Sequence, residues 1–323
     1  MEFSYMQQSI LVTGIEKQAA SVCVCLLKAG HQVTLLNTSA SDTSIRIEKH
    51  LSDIHRYTGE LVTTRNLEII EEPDKAASYQ MAIALTNENL EEKAAIIGML
   101  ESHLEEDVII AINTENFPLS ALQQHATNAG RLIGANWAEP AHTTYFLEII
   151  TNQQTEYALA ENFCHTAKLL WHKDPYILRN DTGIRARMIG AILREAFYLL
   201  ENGYVTKEDI DRSLRNDGGY YLPFAGNFRY MDLMGTYIYG IVMKDLNPEL
   251  SKDSFIPAFC QHLIDKGLTG MSGGAGFYEY GPGEAEEWER VVREFSYRIE
   301  EIISKYPFNH IEENSAVAPN HSS

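Results

Sequence analysis

The pattern of apolar and polar positions changes character part-way along the chain. Ser9–Thr13 (SILVT) is a short apolar run, Lys17–Ala29 has helical spacing and ends at Gly30, and Gln32–Leu36 (QVTLL) is a second apolar run. Strand, turn, helix and strand in about thirty residues form a βαβ unit, which requires a parallel sheet. Gln80–Leu85 is a third apolar run, and Glu91–His103 reads as a helix with Ala94, Ile96, Ile97 and Leu100 turned inward. Asp107–Ile112 (DVIIAI) is β-branched and does not alternate, as expected of a strand covered on both faces. Leu119–Ala129 reads as a helix, and Arg131–Ala135 and Phe146–Ile150 as further strands. The expectation is a doubly wound α/β domain.

After Asn180 the strand signals stop. Ile184–Glu201 is one long helical pattern closed by Gly203, and Thr206-Lys-Glu-Asp has the form of a capped helix start. Phe228–Met243 and Ser254–Lys266 are helical, and Glu284–Lys305 places Trp288, Val291, Val292, Phe295, Ile299 and Ile302 on one stripe. The expected division is an α/β domain over 1–182, an all-α domain over 183–310 and a polar, frayed tail over 311–323.

Composition narrows the function classes. The chain has 323 residues, 45% hydrophobic and 22% charged, enough apolar material for a substantial core. Its net charge of -19 repels phosphate backbones, so nucleic-acid partners are not expected. The cysteines Cys23, Cys25, Cys164 and Cys260 show no zinc spacing and are expected to be reduced, buried thiols. The start MEFSYMQQS lacks the basic and apolar regions of a signal peptide, and no apolar run of membrane-spanning length occurs. A cytoplasmic protein without membrane contact is the expectation.

Several segments, in order and spacing, resemble the 3-hydroxyacyl-CoA dehydrogenase family. Arg194-Glu-Ala-Phe-Tyr-Leu-Leu-Glu-Asn-Gly203 precedes Thr206-Lys-Glu-Asp-Ile-Asp211. Pro223-Phe-Ala-Gly-Asn-Phe and Asp232-Leu-Met-Gly235 follow. Gly267-Leu-Thr-Gly270 and Gly274-Ala-Gly-Phe-Tyr-Glu-Tyr280 close the series. The resemblance runs nearly end to end. It implies a Rossmann-type N-terminal domain followed by an all-α C-terminal domain, and NAD-dependent interconversion of 3-hydroxyacyl and 3-oxoacyl thioesters. It further implies an acyl-CoA ligand and a homodimer formed through the helical domain.

A dinucleotide loop needs a glycine for the turn, a second where backbone meets the pyrophosphate, and a small residue for helix packing. Aligned on the first strand and on Gly30-His31, this chain reads Gly14-x-Glu16-x-x-Ala19. Gly14 and Ala19 suit those tasks. Glu16 brings bulk and negative charge to the place of the second glycine. One expectation is that its carboxylate occupies the phosphate position and caps the first helical turn; the other is that it points to solvent and leaves room for cofactor. At the end of the second strand, where the family binds the adenosine ribose through an acid, the chain has Asn37. NADP is not favoured, because no basic residue follows before Arg46.

In the family a histidine takes the hydroxyl proton, a glutamate twelve residues on orients it, and a serine and an asparagine position the substrate oxygen. Here Gly134-Ala-Asn-Trp-Ala-Glu-Pro140 fills the histidine segment, with Asn136 for histidine and Glu139 for asparagine. Glu148, twelve past Asn136, keeps the family's orienting acid. Glu115 stands for the serine, and Arg187 or Ala186 for the helix asparagine. His142, beyond the proline, is expected to be structural. An amide has no useful basicity, so three readings stand open. The first is a family member with impaired or lost dehydrogenase activity. The second is a working NAD-dependent 3-hydroxyacyl-CoA dehydrogenase. The third is other acid–base chemistry through Glu115 or Glu139. A Glu115–Arg187 ion pair closing the old site is a further expectation.

Overall fold

The computed structural model describes residues 7–14, 16–37, 40–73 and 77–308, with the backbone alone for 16, 40 and 41. The tail over 311–323 lies outside the described residues. The chain forms two compact units, Met1–Arg187 and Met188–Ser323.

Unit one is built on an eight-stranded sheet of order β3-β2-β1-β4-β5-β6-β7-β8. The strands are β1 (Ser9–Gly14), β2 (Gln32–Leu36), β3 (Leu67–Ile70), β4 (Met81–Leu85), β5 (Ile109–Ile112), β6 (Leu132–Trp137), β7 (Leu147–Ile150) and β8 (Tyr176–Leu178). All neighbours are parallel except β6 and β7. Helices α1 (Glu16–Lys28), α2 (Ala40–Thr58), α3 (Leu90–Glu101), α4 (Leu119–Gln123) and α5 (Tyr157–Leu170) connect them. β4 and β5 are buried along their whole length, as their unbroken apolar runs require. One core cluster packs Leu11, Ala82, Ala84, Ile110 and Ile112 of the sheet against Ile97, Leu100, Leu119 and Leu122 of α3 and α4.

Unit two holds α6 (Arg185–Glu201) from its second turn onward, then α7 (Lys207–Asn216), α8 (Gly218–Met234), α9 (Thr236–Leu246), α10 (Ala258–Asp265) and α11 (Glu284–Lys305). Thr206 and Asp209 form a reciprocal capping box at the start of α7, satisfying two otherwise orphaned amides. Large apolar side chains stay exposed in the single chain, among them Phe228, Tyr237, Trp288 and Phe295.

Four expectations need correction. The helix expected over Leu119–Ala129 is one short helix, Leu119–Gln123, followed by a 3₁₀ turn at Ala129–Arg131. The helix expected over Phe228–Met243 is split at Gly235, whose φ of 104° no ordinary helical residue adopts. On α3 the inward face carries Lys93, Ile97 and Leu100, while Ile96 is only partly buried. Positions 93, 97 and 100 are one helical stripe, and the apolar stem of a lysine belongs to it as well as an isoleucine does. Cys164 and Cys260 are partly exposed, unlike Cys23 and Cys25.

Candidate active site

The site lies at the carboxyl ends of the strands, where open α/β sheets hold their ligands. Asn136 is the penultimate residue of β6 and is paired directly with Glu148 of β7. Their side chains therefore leave the same face of the sheet, and Asn136 Nδ2 donates to Glu148 Oε2 at 3.0 Å. Asn136 Oδ1 accepts the backbone N–H of Thr114 at 2.8 Å and of Glu115 at 3.0 Å, with the Thr114 hydroxyl at 3.3 Å. Both ends of the amide are in use and each has an unambiguous role, so the amide cannot flip without losing every bond.

Glu148 is wholly buried, and its second oxygen accepts the backbone N–H groups of Ile184 at 2.8 Å and Arg185 at 3.2 Å, and the Tyr176 hydroxyl at 3.2 Å. Four donors meet the hydrogen-bonding capacity of this buried carboxyl group. Burial and the neighbouring Glu148 charge push the Tyr176 phenol well above its ordinary range. The carboxylate thus fixes the N-terminal turn of α6. Gly183 is there for steric reasons: a Cβ would lie 2.2 Å from Glu148 Oε2 and 3.1 Å from Asn136 Nδ2.

Glu115 follows β5 in a left-handed backbone conformation, φ 45°. Its carboxylate meets the Arg185 guanidinium at 3.2 Å, and Arg185 also lies over the Phe146 ring, 5.6 Å from its centroid. Burial raises the Glu115 pKa, against the pull of Arg185. The ion pair expected with Arg187 is made by Arg185 instead, and Arg187 is exposed. Two residues along a helix is more than half a turn, so the two arginines present on different faces.

Sequence reasoning also missed Lys93. Its Nζ donates to the Thr86 hydroxyl at 2.8 Å and the Asn113 carbonyl at 2.7 Å, with Glu88 at 3.4 Å. Burial lowers its pKa, while Glu88 and Glu115 oppose that shift. The available signal was the spacing 93, 97, 100 on α3.

Glu139 and His142 lie apart from this network. Glu139 Oε2 accepts the Ser21 hydroxyl of α1 at 2.5 Å, and burial pushes its pKa up to about 7. His142 is buried edge-on to His50, with ring centroids 4.7 Å apart, and burial holds it neutral well below its ordinary pKa.

Two strands over in the same sheet, order reverses between β1 and β4, which creates the crevice for a dinucleotide. Gly14 ends β1 at φ 130°, and a Cβ there would fall 1.7 Å from the Leu85 carbonyl oxygen, so the turn into α1 demands glycine. Ala19 is fully buried, as a close helix–sheet contact requires. Asn37 is buried at the end of β2 and donates Nδ2 to the Thr43 hydroxyl at 2.6 Å. The side chain of Glu16 lies outside the described residues, so its expected place at the phosphate position lies there too. Gly14 at the end of β1 and the small, buried Ala19 fit a dinucleotide. Gly14 and the first turn of α1 would hold its pyrophosphate, and Asn37 stands at the ribose position.

Residues 12–182 match the NAD-binding domain of 3-hydroxyacyl-CoA dehydrogenase, and residues 184–280 match its C-terminal domain. The chain belongs to the 3-hydroxyacyl-CoA dehydrogenase family. NAD is that family's cofactor. A relative in Mesorhizobium japonicum, 5-formyl-3-hydroxy-2-methylpyridine 4-carboxylate 5-dehydrogenase, is 26% identical over 218 residues, covering 66% of this chain and 69% of its own. The mitochondrial hydroxyacyl-coenzyme A dehydrogenase of Sus scrofa is 24% identical over 291 residues, covering 84% and 90%. A crystal structure of a 5-formyl-3-hydroxy-2-methylpyridine 4-carboxylic acid 5-dehydrogenase superposes with a TM-score of 0.84 at 21% identity, over 93% of this chain and 99% of that one. Among the described residues no helix is long and apolar enough to cross a membrane.

Proposed function

We propose that this family member retains the NAD-binding scaffold but has lost the family's ordinary dehydrogenase chemistry at position 136. Residues 1–182 serve as the cofactor half. Residues 183–310 serve as the helical half, through which two copies pair and cover the exposed apolar side chains. The observation that carries the reading is the locked Asn136 amide. Its oxygen is taken by two backbone N–H groups and its nitrogen by Glu148. A general base contributes typically about 10²–10⁴-fold to such a proton transfer. An amide supplies none of it: the Asn136 oxygen is taken by the fold, and the second hydrogen on Nδ2 can donate to a substrate oxygen but cannot accept its proton.

NAD bound at the β1–β4 crevice would supply a hydride acceptor. The chain's own part would be to hold the substrate against the Asn136–Glu148 pair and to place the Arg185 and Glu115 charges beside it. A second reading, proton transfer by Glu115, is favoured by its raised pKa and by its backbone N–H bond to the Asn136 side-chain oxygen, which sets it beside that residue.

Thermal shifts with NADH and with acetoacetyl-CoA test the binding half of the proposal. A ligand at 100 times its Kd adds about 2.7 kcal/mol and raises Tm measurably. Restoring the family residues in an Asn136→His, Glu16→Gly double variant tests the chemical half. NADH oxidation that appears only after the restoration supports the reading, and no gain over the unaltered chain counts against it.

A further inference from the structure

The fold satisfies the side chains of Asn136, Glu148 and Arg185 to different extents. Asn136 and Glu148 have all their principal bonds filled. Arg185 differs. Among the described residues its guanidinium bonds only Glu115, and through one nitrogen, at 3.2 and 3.5 Å to the two carboxylate oxygens. Its side chain remains 34% exposed and that of Glu115 21%, so solvent and solutes reach the pair. The fork of a guanidinium has five N–H donors and suits a carboxylate held by two of them.

The partner is also held awkwardly. Glu115 has φ 45°, a conformation that non-glycine residues adopt at a cost. A strained loop residue that offers its carboxylate to a half-exposed arginine is easily displaced by a free carboxylate making the same contact. The location restricts what such a ligand would be. The Arg185 backbone N–H bonds Glu148, the cross-strand partner of Asn136, so the guanidinium stands at the substrate end of the strands. The Phe146 ring beside it gives an apolar wall to whatever the arginine grips.

We propose that Arg185 is a carboxylate-binding residue, that Glu115 is its internal placeholder, and that the site takes a small oxo or hydroxy acid with a free carboxylate. This deepens the proposed function, resting on it only in taking this end of the strands as the substrate end. With a chain of net charge -19, long-range attraction of an anion is absent, so selectivity has to come from local contacts, of which the half-used Arg185 fork is the one proposed here. A substrate whose carboxyl is masked as an ester would lose it.

The experiment is calorimetric titration of the full-length protein, without nucleotide, with acetoacetate and with its uncharged methyl ester. Glu115→Gln removes the competing charge and is expected to bind acetoacetate at least ten-fold more tightly than the unaltered chain. Arg185→Gln is expected to lose that binding, and Arg185→Lys, which keeps the charge without the fork, to retain part of it. The methyl ester is expected to bind none of them measurably. Circular dichroism checks that each variant is folded, and Arg185→Lys carries the test if Arg185→Gln is not. Equal binding of acid and ester, or no gain in Glu115→Gln, overturns the assignment. Because no turnover is read, either result is independent of whether Asn136 prevents dehydrogenation.

Discussion

Asn136 and Glu148 face each other across the one antiparallel strand pair among the described residues, joined by a 3.0 Å bond from amide to carboxylate. The same amide receives two backbone N–H groups from the turn after β5. The same carboxylate receives two from the start of α6. Two side chains therefore tie together β6, β7, the β5 turn and the segment leading into α6. An imidazole at 136 would use one nitrogen on Glu148 and keep the other for substrate. The amide spends its second atom on the fold.

Asn136→Asp tests this polarity. The oxygen contacts with Thr114 and Glu115 survive, but a second carboxylate now faces Glu148. Two carboxylates at that distance do not both ionise cheaply, so the pair's folded pKa rises above the unfolded value. The variant should be close to the unaltered chain near pH 4 and lose stability as pH rises, by about 2–4 kcal/mol at pH 8. Calorimetric Tm measured from pH 4 to 8 reads the divergence; parallel curves would show that the two side chains do not face each other.

Gly183→Ala should be damaging without changing any charge. Its Cβ would meet the Glu148 carboxylate at 2.2 Å. Either the backbone or the Glu148 carboxylate must shift, and the bonds from Ile184 and Arg185 open with it. A loss of about 2–4 kcal/mol is expected, from a buried anion deprived of donors. Urea denaturation gives the figure, and a change under about 0.5 kcal/mol would mean that the α6 start is not held by Glu148.

Glu139 makes the chain's stability depend on pH. Burial raises its pKa to about 7, while Ser21, Lys17, Arg46 and Lys173 partly resist the rise. The folded state therefore holds its proton more tightly than the unfolded state. Stability from this group is fully present below the unfolded carboxyl value near 4.5, falls as pH rises, and levels off above about 7. The fall is about 2 kcal/mol once partial solvent access is allowed for. Glu139→Gln should flatten that part of the profile. A slope that persists in the variant would place the titration elsewhere.

Much of the fold was readable because it rests on local patterns. β1, α1, β2, β4, β5 and α11 follow from apolar runs and helical stripes that agree with their neighbours. β8 has three half-buried residues, too few to give a pattern. The turn at Gly14 and the pairing of Asn136 with Glu148 were legible, because spacing fixes their positions. The site was misread at Arg187, which lies two residues past Arg185 and so, more than half a helical turn away, on a different face of α6. Lys93 escaped notice because a charged residue on an apolar stripe is read as a boundary, although its bonds to Thr86, Asn113 and Glu88 make it part of the interior.

The central claim is that the amide at 136 is structural and takes up no proton. Its most direct measurement is steady-state NADH oxidation by the unaltered protein with acetoacetyl-CoA, followed over a range of pH. The account predicts turnover at least about 10²-fold below the ordinary range of roughly 1–10³ per second, and no rate step titrating near pH 6.5. Turnover within that ordinary range, with or without such a step, would contradict it.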